Sequence, residues 1–174
     1  MWNPFKRTFQ ADLVGAGLAE IVWDQMEPEE IRKFVGALED QGLDDDQVNH
    51  INHEIMYLKV FAVDFAVSSV LQTQQKREVL DAFYLMCFKG ALKRSEEVTR
   101  GVLKGHEEDI KSRLWDYANA VKTEHQMGYG WTVSCAFAKW CGFPDHPALI
   151  TMGTSVFGNT SNAVAKMLKS IVVK

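Results

Sequence analysis

Proline is scarce in this chain, with four in 174 residues, and no Pro/Ser-rich stretch, low-complexity run or internal repeat divides it. A long disordered tail and an interdomain linker are therefore not expected, and the length suits one domain that buries about 70% of its unfolded surface. Basic charge is not in excess either. Nineteen Lys and Arg stand against 23 Asp and Glu, for a net charge of −4. The bases alternate with acids, as in Glu29, Glu30, Arg32, Lys33 and again in Glu107, Glu108, Asp109, Lys111, Arg113. Nucleic-acid binding needs clustered cations, so no nucleic-acid partner is expected. Cysteine is limited to Cys87, Cys135 and Cys141. An odd number without regular spacing does not make a disulfide framework, and the expected location is the reducing cytoplasm. No uninterrupted apolar run reaches membrane length, because Ile55 to Leu71 contains Lys59 and Asp64. Met1 to Trp23 has Asp12 and Glu20 within it and does not read as a signal peptide.

What the chain does have is apolar residues at helical spacing. Asn3 and Pro4 suit a helix start, with Phe5, Phe9 and Leu13 on one face, which predicts an N-terminal helical arm over 1–23. Gly15 and Gly17 weaken that arm. Pro28 with Glu27, Glu29 and Glu30 opens a second helix whose stop is placed at Gly42. Val48, Ile51, Ile55, Leu58, Ala62, Phe65 and Ser69 alternate three and four apart, and Met56, Tyr57, Phe61, Val63, Val67 and Val70 fill the other faces. This predicts a long central buried helix over about 44–72. Further helices are expected over Lys76–Gly90, from Ser95 to about Gln126, over Trp131–Trp140 and from about Thr160. Ala148–Met152 is the one strand candidate. The fold class is all-α, a single-domain helical bundle of about six helices.

Candidate chemistry is sparse. Asp64 stands within Val60–Val67, where an ionised carboxylate needs a partner, an Arg or a Tyr from another helix. It reads as a structural aspartate or as a carboxylate facing a pocket. His125, Tyr129, Trp131 and Trp140 belong to the aromatic segment His125–His146 and would line a small-molecule pocket with it. His50, His53 and Glu54 share a helix face, yet no Glu-x-x-His occurs, so a solvent-facing helix end is the stronger reading. Cys135 and Cys141 with His125 and His146 match no zinc spacing, and a thiol nucleophile among them has no further support. Gly153–Thr160 has the glycine spacing of a P-loop but Asn159 replaces its lysine, which leaves a small-residue loop and helix cap.

Two functions follow as expectations. The first is a non-enzymatic helical interaction or regulatory module, a homo-oligomer or the binder of a protein partner, using the Trp2, Phe5, Phe9 arm and the Val48–Ser69 seam. The second is a small-molecule-binding protein or enzyme with its pocket at Asp64, His125, Tyr129, Trp131 and Trp140. A third, weaker expectation lays the Trp2–Leu13 arm on a membrane surface beside Lys6 and Arg7. No residue is assigned a catalytic role and no cofactor is named.

Overall fold

The computed structural model describes residues 6–24, 26–36, 42–98, 103–123 and 126–174, with side chains throughout these except at 36, 90–98 and 103–107. Its order is β1 (Thr8–Phe9), α1 (Ala11–Trp23), α2 (Pro28–Gly36), α3 (Asp45–Val70), α4 (Thr73–Val98), α5 (Leu103–Lys122), α6 (Tyr129–Trp140), α7 (Pro147–Ser170) and β2 (Val172–Val173). The fold is an all-α bundle, with seven helices among the described residues.

The central helix starts where its sequence says it should. Asp44 Oδ1 accepts from the Gln47 amide at 2.8 Å, and Gln47 Oε1 accepts from the Asp44 amide at 3.0 Å. This capping box satisfies two amides, while Asp45 and Asp46 meet the positive end of the helix dipole. From there α3 runs 26 residues, ~39 Å at 1.5 Å per residue, and touches each of the other six helices. Tyr57, Val60, Val63 and Val67 enter one apolar cluster with α1, α4 and α7. Ile51, Ile55, Leu58, Phe61 and Ala62 enter another with α2, α5, α6 and α7. The Val48–Ser69 seam, expected to offer apolar surface to a partner, is thus buried in the protein's own core as far as Ala62.

Several local expectations are corrected. The N-terminal arm is not helical at Thr8–Phe9, which lies extended and pairs in parallel with Val172–Val173, so the helix begins at Ala11. Met1–Phe5 lies outside the described residues. The stop placed at Gly42 is not corrected: residues 37–41 lie outside the described residues, Gly36 is the last described residue of α2, and Gly42 has a φ of +61°. Helix α4 runs through Gly90, and Ser95, Glu96 and Glu97 belong to its last turns rather than to a new start. A glycine inside a helix costs only about 1 kcal/mol, less than continuous helix on both sides returns. The strand candidate Ala148–Met152 and the glycine segment Gly153–Thr160 both lie inside α7, which begins at Pro147 and not near Thr160. Its turn-forming residues are accommodated because Thr151 Oγ1 donates to the Pro147 carbonyl and Thr154 Oγ1 to that of Ile150. Gly153 is where α6 crosses α7: a Cβ there would stand 2.8 Å from the Phe137 ring.

Candidate functional site

Central helix α3 carries a buried carboxylate, Glu54, and a half-buried one, Asp64, and each is answered from a neighbouring helix. Half-buried Asp64 accepts from Ser68 Oγ at 3.0 Å and from the Tyr84 hydroxyl of α4. The expectation of a tyrosine partner from another helix is met. Burial, and then the negative charge and hydrogen bond of Asp64, push the Tyr84 phenol far above its ordinary value, so it is a donor at any physiological pH. Ser68 also lines a surface hollow of about 770 Å³ with Leu71 and residues 72–76.

The second carboxylate is Glu54, 1% exposed. Arg113 of α5 meets it with Nε at 3.2 Å from both oxygens and Nη2 at 2.7 Å from Oε1. Its Nη1 reaches Asp109 Oδ1 at 3.1 Å. The guanidinium lies over the Trp140 ring, 3.9 Å from the centroid, with the Tyr57 ring at 5.2 Å. His50 Nε2 donates to the Trp140 carbonyl at 2.8 Å and fixes the end of α6 to α3. Burial raises the Glu54 carboxyl above its ordinary value, against the hydrogen bonds and charge of Arg113. The same surroundings push Tyr57 up to about 12, burial first, then the charges of Asp109 and Glu54. Beside this pair Tyr117 is fully buried, and its hydroxyl and Trp140 Nε1 have no hydrogen-bond partner among the described residues.

The expected pocket residues are distributed rather than gathered. Asp64 faces Tyr84 on the α4 side. Trp140 stands on the Arg113–Glu54 pair, and Glu54 lies ten residues before Asp64, ~15 Å along the helix. Tyr129 is half exposed with its ring 5.3 Å from Phe65 and 6.2 Å from Phe157. Trp131 packs against the second apolar cluster. His125 lies outside the described residues. Both oxygens of Glu54 are engaged by Arg113 and His50 by Trp140. No group of three or more His, Cys, Asp or Glu is placed to hold a metal among the described residues. Burial raises all three thiols, Cys87 to about 12, so none is poised as a thiolate.

Sequence reasoning missed the Glu54–Arg113 pair. A signal was present, since Glu54 falls between Ile51 and Leu58 on the apolar stripe, where an acid must be neutralised. Arg113 was read as part of a solvated charge run, and nothing local distinguishes it from its neighbours.

Fold and site together define an all-α bundle built on one central helix whose Glu54 and Asp64 carboxylates are paired within the bundle. No helix among the described residues is long and apolar enough to cross a membrane. Compared with protein-family models, with curated proteins and with solved structures, the chain matches none.

Proposed function

We propose that the protein is a non-enzymatic helical interaction module that acts by self-association or by engaging a protein partner. The observation that carries this reading is Trp115, 68% exposed on the outer face of α5. Lys111, Ser112 and Asn119 one turn away and Lys122 two turns away are exposed. An aromatic anchor within a polar rim is the usual make-up of an interface hot spot, because burying indole releases much apolar surface while the rim excludes water. Glu54 and Asp64 of α3 support the same reading, since both are engaged within the bundle. An acidic chain with free cysteines suits a reducing, cytoplasmic setting and a protein rather than a nucleic-acid partner.

Native mass spectrometry and sedimentation across concentration test it. Wild type should form a multimer that Trp115→Ala weakens roughly tenfold. A monomer at every concentration, carrying extra mass that is lost on denaturation, would overturn the association reading. That result would favour the small-molecule alternative, which rests on Ser68 linking the Asp64–Tyr84 pair to the hollow at 68–76.

A further inference from the structure

We propose that the partner is a second copy of this chain, bound through a basic, apolar edge at β1–β2 set against the acidic corner of α2–α3. This rests on the association reading above, takes its self-association arm, and adds a pair of charged faces separate from Trp115. The edge exists only in the folded chain. Parallel pairing of Thr8 with Val172 and Phe9 with Val173 is locked by three bonds: Val172 N–H to Arg7 O, Lys174 N–H to Phe9 O, and Ala11 N–H to Lys174 O, at 2.8–2.9 Å. Lys6 Nζ donates to the Lys169 carbonyl. Residues 6–13 and 166–174 thereby bring together Lys6, Arg7, Lys166, Lys169 and Lys174 with a single acid, Asp12. None of these five cations forms an ion pair with a described residue. Among them Phe9 is 38% and Leu13 63% exposed.

The corner is the electrostatic complement. Glu27, Glu29 and Glu30 at the start of α2 and Asp44, Asp45 and Asp46 at the start of α3 are all exposed. Arg32 joins the two triplets into one face by pairing Glu29 at 3.0 Å and Asp45 as well. Phe34 on α2 adds an exposed ring. Within one molecule the two faces cannot meet. Gln75, just past the end of α3, donates to the Val173 carbonyl, which sets the basic edge beside that end, while the acids sit at the other, ~39 Å away along the helix. That is several times the ~8 Å screening length at physiological salt. A second copy, in an antiparallel pair or head to tail, brings the two faces together, with Phe9, Leu13 and Phe34 as apolar contacts.

Reversal at each end and mixing of the two variants test the assignment in the full chain. One variant carries Arg7→Glu, Lys169→Glu and Lys174→Glu; the other carries Glu27→Lys, Glu30→Lys and Asp46→Lys, which leaves the Asp44 cap and the Arg32 bridge intact. Each variant alone, with wild-type circular dichroism, should sediment as a monomer where wild type associates. An equimolar mixture should recover the associated mass, and added salt should dissociate it. Wild-type association that survives both reversals but is lost in Trp115→Ala would overturn these faces and leave the broader reading standing. A wild type that stays monomeric yet binds phosphatidylserine vesicles, and not phosphatidylcholine ones, would overturn the second copy as the occupant of the edge.

Discussion

Arg113 makes four hydrogen bonds to three carboxylate oxygens and lies against two aromatic rings, and its removal would leave Glu54 without a counter-ion in a nearly dry site. Breaking a buried pair by deleting one partner costs about 3–5 kcal/mol, because the remaining charge has lost both water and counter-ion. Arg113→Met should therefore lower stability by about that much in urea unfolding. The double variant Glu54→Met/Arg113→Met should recover most of it, since two apolar side chains can share that space without an unpaired charge. Equal losses in the single and double variants would show that packing on Trp140, rather than charge, is what Arg113 supplies. At this scale the sequence was half legible. Asp64 stands out because the run Val60–Val67 around it is otherwise apolar, whereas Glu54 sits beside His50 and His53 and reads as a polar helix end. Its burial depends on α5 lying across it, which no local pattern encodes.

The two glycines of α1 separate local from tertiary demands within one helix. A Cβ on Gly15 would stand 2.3 Å from the Val79 carbonyl and 2.8 Å from the Ala82 Cβ of α4, whereas one on Gly17 meets nothing within 4 Å. Gly17→Ala should stabilise by about 0.5–1 kcal/mol through helix propensity alone. Gly15→Ala, with the same intrinsic gain, should destabilise by about 1–3 kcal/mol as α1 is pushed off α4. Paired thermal melts decide this, and a gain in both variants would mean that α1 does not pack on α4 as described. In the sequence both glycines read only as weaknesses of a helix. Helix α7 teaches the complementary lesson. Its Thr, Ser, Gly and Asn suggested a loop, but Pro147 at the first turn and hydroxyls bonded back to carbonyls four residues earlier let these residues lie in helix.

For the whole molecule, the two apolar clusters share α3, so neither can open without exposing the other and unfolding should be one cooperative transition. Alkaline pH provides a handle on it. Cys87 and Tyr57 both have folded values raised to about 12, from ordinary values of 9.0 and 10.0. Between those limits the folded protein holds protons that the unfolded chain releases. The stability they contribute is complete below pH 9.0 and is lost as pH rises toward about 12, by up to about 1.4 kcal/mol per pH unit for each group. Near- and far-ultraviolet circular dichroism should report the same falling melting temperature over that window, with a shallower fall in Cys87→Ala. Diverging probes would mean that the clusters unfold separately.

The helical class, the central position and approximate bounds of α3 and the need of Asp64 for a tyrosine or arginine were determined by the sequence alone. They rest on periodicity, end chemistry and the cost of burying charge, all of which act within a few residues. Tertiary structure alone decided the Glu54–Arg113–Trp140 assembly, the tight passage at Gly15, the helical state of Gly153–Thr160, and the union of Lys6 and Arg7 with Lys169 and Lys174. These depend on surfaces far apart along the chain being pressed together, where burial and close approach outweigh what each segment would prefer by itself.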